Sequence, residues 1–318
     1  MPDLDMSVWT GRDDTPTEGP EALQWHQRIQ PCMAQKDRGV VLVGFACDEG
    51  VKRNGGRPGA VEGPKALRRA LANLAWHQDH PVYDTGDVNC VNADLENAQQ
   101  KLAVQIAELV MADQRPLTLG GGHETAWGTI QGLFRARPKS SIGLINIDAH
   151  FDLRAADRST SGTPFAQAAS LCQKTERRYC YFCFGIAEPA NTAALFKRAH
   201  ELDVLWRLDT DLHAGRLADD LNRVSRFIAG CDLVYLSLDL DVLPGSVMPA
   251  VSAPAGRGVQ PEVVEAILAE VASSGKLAAT DVVEFNPQFD RDGCAARVAA
   301  GLIWRIARLW TDKMETAP

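Results

Sequence analysis

Residues 142–152 read Ile-Gly-Leu-Ile-Asn-Ile-Asp-Ala-His-Phe-Asp. The first six, Ile142–Ile147, are apolar almost without interruption, which is how a strand covered on both faces reads. The next five change character at once, with Asp148, His150 and Asp152 at i, i+2 and i+4. Where a strand runs into a turn such positions share one face, so three metal-binding types of side chain can converge on one point. The stretch therefore predicts a buried parallel strand with chemistry at its carboxyl end, the edge at which open parallel sheets bind ligands.

Working outward, seven more runs have the same look: Val40–Phe45, Val82–Asp84, Pro116–Leu119, Tyr179–Phe184, Asp203–Trp206, Leu233–Leu238 and Ala279–Phe285. Helical spacing fills the gaps. Pro64 opens a face of Leu67, Ala70, Leu71 and Leu74, and Pro261 one of Val264, Ile267, Leu268 and Val271. Val298, Leu302, Ile306 and Leu309 form a third stripe. Eight strands alternating with helices predict a three-layer αβα fold on an eight-stranded parallel sheet. Residues 1–38 are polar and carry a loop signal at 11–20, so they read as an N-terminal arm, and 39–318 as a single catalytic domain.

Composition narrows the classes of function. With 45% hydrophobic and 23% charged residues the chain is an ordinary globular protein. Its 33 Lys and Arg against 41 Asp and Glu give a charge of -8, which lacks the basic footprint of a binder of nucleic acid or anionic membrane. No apolar run approaches the ~18–20 residues of a membrane span, and the acidic N-terminus is no secretory signal. Eight scattered cysteines point to reduced thiols and the cytoplasm. Cys180 and Cys183, three apart on a strand, face opposite ways and share neither zinc nor a disulfide.

Four strands deliver acids or histidines to one edge. Gly120–Gly122 leads to His123 and Glu124, the quoted strand to Asp148, His150 and Asp152, Leu233–Leu238 to Asp239 and Asp241, and the last strand to Glu284. Taken singly, Asp148 or Asp239 reads as a helix cap and His123 as a turn residue; Glu124 and Thr125 suit the first turn of a helix. Jointly, two imidazoles and four carboxylates suit a hard or borderline divalent ion, Mn²⁺ foremost. Four carboxylates around one such ion leave two uncompensated charges, while two ions bring the sum to zero, so burial favours a two-ion centre. Two ions about 3.5–4 Å apart can share a water and lower its pKa, supplying a hydroxide nucleophile.

The segments 120–124 (GGGHE), 148–154 (DAHFDLR), 237–254 (SLDLDVLPGSVMPAVSAP) and 282–287 (VVEFNP) resemble the arginase/agmatinase, or ureohydrolase, family of binuclear manganese hydrolases over roughly residues 38 to 310. The resemblance implies two Mn²⁺ per chain. One ion would be held by His123, Asp148, Asp152 and Asp239; the other by His150, Asp148, Asp239 and Asp241, with Asp148 and Asp239 bridging. It also implies that Glu284 grips a guanidinium or amidine head group, that Asp241 returns a proton to the departing amine, and that the chain forms a homo-oligomer.

Departures from the arginase pattern speak to the substrate. Arg154 stands where arginases carry Asn, and Ser161-Gly162-Thr163-Pro164-Phe165 replaces a loop whose histidine shuttles protons. With residues 44–60 (GFACDEGVKRNGGRPGA), these resemble the branch of the family that converts N-formimidoyl-L-glutamate and water to L-glutamate and formamide. That small-molecule substrate bears two carboxylates, which suits the planar forks of Arg154 and Arg57, with Asn54, Ser161 and Thr163 as further candidate partners. A guanidino acid is the nearest rival; agmatine, cationic at its free end, would meet Arg154. A metal-binding protein without turnover should lack a ligand or Glu284, and neither is missing. His200 and His213 have no motif around them and read as surface residues.

Overall fold

The apolar runs become strands for the reason their composition gives, since they are covered on both faces. In the computed structural model, which describes residues 4–32 and 37–310, nine strands form one parallel sheet among the described residues. They are β1 (Gln30–Pro31), β2 (Val40–Ala46), β3 (Val82–Asn89), β4 (Arg115–Leu119), β5 (Ile142–Ile147), β6 (Cys180–Ile186), β7 (Leu205–Leu208), β8 (Leu233–Asp239) and β9 (Leu277–Val283). Their order is β1-β3-β2-β4-β9-β8-β5-β6-β7. Every residue of β2, β4, β5 and β6 is buried, whereas β7, at an edge, exposes Leu205.

Helices cover both faces and divide the apolar residues into two clusters. Helices Gly63–Ala72, Leu217–Ala229, Pro261–Ala272 and Cys294–Leu309 bury their apolar stripes on one side. Helices Leu95–Met111, Thr125–Ala136, Pro164–Lys174 and Ala193–Glu201 do so on the other. Cys180 belongs to the first cluster and Cys183 to the second, as an offset of three on a strand requires.

The ninth strand corrects the expected eight. β1 is two exposed residues paired with Tyr83 and Asp84 of β3, so only its partner defines it. It lies within the segment read as an arm, and the described residues 4–32 of that segment are firmly docked. Trp9 stacks on Trp25 at 6.5 Å between centroids and donates its indole N–H to Asp84 at 2.8 Å. The Arg68 guanidinium grips the same carboxylate with bonds of 2.8 and 2.9 Å. Trp25 is fully buried, a contribution of about 1.5–3 kcal/mol or more for a large side chain. Smaller differences fall at the ends. β3 runs on to Asn89, Tyr179 precedes β6, β7 starts at Leu205, β9 stops at Val283, and Leu74 lies past its helix.

Candidate active site

β4, β9, β8 and β5 are consecutive in the sheet, so their carboxyl ends meet. The Asp-x-His and Asp-x-Asp spacings have a common local cause. Asp148 Oδ1 accepts the N–H of His150 at 2.6 Å, and Asp239 Oδ1 accepts that of Asp241 at 2.8 Å. Each aspartate thus closes a tight turn onto its own backbone, and each has its Oδ2 near His123 Nδ1, at 3.2 Å for Asp148 and 3.0 Å for Asp239. Asp152, at φ 49°, turns the chain back and brings its own Oδ2 to 2.9 Å from the same nitrogen.

A buried relay sets the state of His123. Its Nε2 lies 3.0 Å from Ser237 Oγ. Ser237 donates its hydroxyl proton to Asp281 Oδ1, and Tyr235 donates to Asp281 Oδ2 at 2.6 Å. Ser237 has therefore spent its proton and must accept from Nε2–H, which in the neutral ring leaves the lone pair on Nδ1. That Nδ1 is buried and has no hydrogen-bond partner among the described residues. One lone-pair nitrogen and three carboxylate oxygens, so close together, repel unless a cation lies among them.

The donor set fits a pair of ions. Ligand atoms of His123, Asp148 and Asp239 all lie within 4.8 Å of one another, as do those of Asp148, His150 and Asp241. His150 Nδ1 is 3.0 Å from Asp241 and 3.4 Å from Asp148. Asp148 is common to both groups, and Asp239 belongs to the first, with His123 and Asp148. Titration follows from the crowding. Burial raises Asp152, Asp239 and Asp241, with neighbouring aspartates adding to it. Burial also raises Asp148, but in the metal-free chain, with both rings protonated, the two histidines outweigh it and hold that carboxyl well below the usual range. Both imidazoles are lowered by burial, yet the carboxylates around them raise them well above the ordinary value.

Glu284 follows β9 with φ 71°, a left-handed conformation that turns its side chain into the cluster. Its N–H donates to Gly121 O at 2.7 Å, and its Oε1 accepts the His123 N–H at 2.8 Å. Its Oε2 is buried with no hydrogen-bond partner among the described residues. Burial, then the charge of Glu124, pushes Glu284 up to about 8. Glu124 itself departs from the role expected of it. It opens the helix Thr125–Ala136 without capping it; its carboxylate accepts the Gly50 N–H at 2.8 Å, and burial pushes it up to about 7. Thr125 is more local, donating to Gly122 O.

The remaining candidates divide. Arg154 is exposed, its main chain is tied to Gly162, and its guanidinium makes no hydrogen bond or ion pair among the described residues; it also lines a groove that extends to Arg177 and Cys180. Asn54 donates to Ser161 Oγ at 3.1 Å, so these two are joined across the mouth. Thr163 Oγ1 is spent inside its own loop, on Thr160 and Gln167. Arg57 is a correction. Its guanidinium donates to the carbonyls of Pro249, Val251 and Ser252 and lies 3.8 Å over the Phe289 ring. A fork so committed clasps loops and is not free for a carboxylate. Phe165 is buried, stacked on Tyr181 at 4.3 Å and edge-on to His123 at 5.7 Å. His200 and His213 are exposed.

Sequence reasoning missed the layer behind the site. Asn146 donates to Asp148 Oδ2 at 2.8 Å and to the Tyr181 hydroxyl at 3.1 Å, and Ser237, Tyr235 and Asp281 complete the relay to His123. The signal was present, for Asn146, Ser237 and Asp281 are polar residues inside otherwise apolar strands, and buried polar groups must find partners.

The Arginase family model matches residues 38–308. A formimidoylglutamase of Chromobacterium violaceum is 53% identical over 305 residues, spanning 96% of this chain and 98% of that protein. One of Aeromonas hydrophila is 50% identical over 310 residues, with the same coverage. Among solved structures, formimidoylglutamase from Bacillus subtilis shares the fold at a TM-score of 0.83 and 22% identity, over 94% of each chain. Trypanosoma cruzi formiminoglutamase with Mn²⁺ gives 0.78 at 25% identity, over 87% of this chain and 95% of that one. A match along nearly the whole length, on a sheet whose four central strands gather the expected carboxylates and histidines, makes this chain a member of the arginase family of metal-dependent hydrolases.

Proposed function

We propose that the chain hydrolyses N-formimidoyl-L-glutamate to L-glutamate and formamide, a reaction of histidine degradation, with two Mn²⁺ ions per chain. His123, Asp148, Asp152 and Asp239 would hold one ion and His150, Asp148, Asp239 and Asp241 the other. Bound there, the pair would neutralise the four carboxylates and acidify a shared water. The observation that carries the reading is the buried, unpartnered Oε2 of Glu284 beside the His123 backbone. A cationic formimidoyl group is what such an oxygen lacks, and the names of half-identical relatives agree.

Glu284, fixed at Oε1 by His123 N–H, presents Oε2 to the formimidoyl N–H and orients its carbon toward Asp148 and Asp241. Water adds to that carbon, and the C–N bond to glutamate breaks. Asp241 takes the water's proton and returns it to the departing nitrogen. Arg154 meets a carboxylate, and Asn54 and Ser161 offer further polar contacts. The chain works as one catalytic unit over 39–318 with the arm docked on it. Eight free cysteines fit the cytoplasm, no helix among the described residues is long and apolar enough to cross a membrane, and the family resemblance favours a homo-oligomer.

The test is glutamate release from N-formimidoyl-L-glutamate by Mn²⁺-loaded protein, with arginine, agmatine and 4-guanidinobutyrate in parallel. Turnover of the first alone is expected. Urea release from the guanidino acid would keep the Glu284 socket and overturn the dicarboxylate reading of Arg154.

A further inference from the structure

At the edge of the sheet opposite the metal cluster, two cysteines meet over a glycine. Cys180 opens β6, and Cys231 sits in the turn between helix Leu217–Ala229 and β8. Gly143 of β5 is the register partner of Cys180 on one side and of Val234 on the other. A Cβ at Gly143 would lie 2.8 Å from Cys231 Sγ, so the missing side chain makes the space that this sulfur fills. Both thiols face the same apolar cluster, and Gly143, over which Cys231 Sγ lies, is the direct cross-strand neighbour of Cys180. Lys276 fixes the turn by donating to the carbonyls of Cys231 and Ile228 at 2.6 and 3.0 Å.

Both thiols are largely buried, Cys180 at 7% and Cys231 at 5% exposure, and they meet solvent only where they border a groove. Cys180 and Cys231 line a groove of about 1580 Å³ together with Arg177, Arg178, Arg223 and Arg226. Asp157, Glu201 and Asp203 also line it, outnumbered by the basic side chains. Arg178 and Arg223 make no ion pair among the described residues, and in a chain of charge -8 such a patch is set apart from the rest of the surface.

We infer that Cys180 and Cys231 form an exchangeable dithiol site for low-molecular-weight disulfides that carry carboxylates. The Cys180 thiolate attacks one sulfur of the incoming disulfide; a mixed disulfide forms and one thiolate leaves. Cys231 then gives up its proton and attacks the Cys180 sulfur, closing the Cys180–Cys231 bond and releasing the second thiolate. Two protein thiols are oxidised and one disulfide is reduced to two thiols, so electrons and protons balance. Polarity supports this order. The hydrogen bond from Cys231 and then the Arg178 charge hold the Cys180 thiol down at about 7 against burial, while Cys231 is pushed up as the resolving partner.

The test treats the full chain with glutathione disulfide and maps the cysteines by peptide mass. Wild type is expected to lose two thiols and to yield joined peptides containing Cys180 and Cys231. Cys231→Ser should hold the tripeptide on Cys180, and Cys180→Ser should do neither. Cystamine, a cationic disulfide, should react about tenfold more slowly at low salt, with the gap closing at high salt. Adducts confined to Cys32, Cys90 or Cys294, or equal rates for the two reagents, would overturn the proposal.

Discussion

Arg57 and Arg154 are the same residue type in loops that border one site, and their surroundings give them different work. Arg57 donates to three carbonyls and stacks on Phe289, while Arg154 is exposed to solvent. Removing Arg57 leaves those carbonyls short of a donor and forfeits the cation–π contact, so Arg57→Ala should cost about 2–3 kcal/mol of stability. Arg154→Ala should leave the melting temperature unchanged and raise KM for N-formimidoyl-L-glutamate about 10–100-fold, the worth of one charged hydrogen bond. Calorimetry and steady-state kinetics on the two variants check both; a KM effect confined to Arg57→Ala would reverse the assignment. The type and position of the arginines were legible in the sequence, but their partners were not. Those partners, at 249–252 and 289, stand nearly two hundred residues or more away in the chain. Asp148, His150, Asp239 and Asp241 were legible because an aspartate that closes a turn on its own i+2 N–H is a local device.

At the scale of elements, the ends of the strands carry the chemistry and the strands behind them hold it still. The Gly120–Gly122 turn shows how little room there is: a Cβ on Gly121 would fall on the Cys47 carbonyl, while Gly121 O holds the Glu284 N–H. The obstruction is backbone and cannot swing aside, so Gly121→Ala should lose about 3 kcal/mol, the upper end for overpacking, and shift His123 and Glu284 together. A melting curve and a KM for the formimidoyl substrate test this, and an unchanged pair of values would refute the tight approach. Ser237→Ala makes the companion case on β8. It leaves the His123 Nε2–H without its acceptor and frees the ring's tautomer, so Mn²⁺ affinity should fall about 10–100-fold. Calorimetric titration with Mn²⁺ reads this without any assay of turnover. Buried runs such as Ile142–Ile147 announce themselves by apolarity alone, whereas β1, two exposed residues, exists only by pairing with β3. The relay of Tyr235, Ser237 and Asp281 was hidden for a related reason, since cross-strand register brings it together and no spacing within one strand records it.

For the whole molecule, the site is a concentration of like charge at one end of a close-packed sheet. Asp148, Asp152, Asp239 and Asp241 are all buried, with Glu284 and Glu124 beside them, and among the described residues the two imidazoles are the cationic partners that lie against the four aspartates. Folding the metal-free chain must either protonate some of these groups or hold them ionised against one another, and both cost free energy. Ions that bind the folded state alone return that cost by mass action, about 2.7 kcal/mol at a hundred times the dissociation constant. Dialysis against a chelator should therefore lower the melting temperature, and added Mn²⁺ should restore it in steps that follow ion concentration. Asp148→Asn is the sharpest variant for this argument, because Asp148 belongs to both ligand groups. Its chelated form should melt lower than chelated wild type, because Asp148 is the carboxylate that its imidazole and amide partners hold ionised, and Mn²⁺ should barely stabilise it, with most turnover lost. A full Mn²⁺-dependent rise in Asp148→Asn would mean that the ions are held elsewhere. The same rise in wild type but not in the variant would tie the stability of the fold and the chemistry of its edge to one carboxylate.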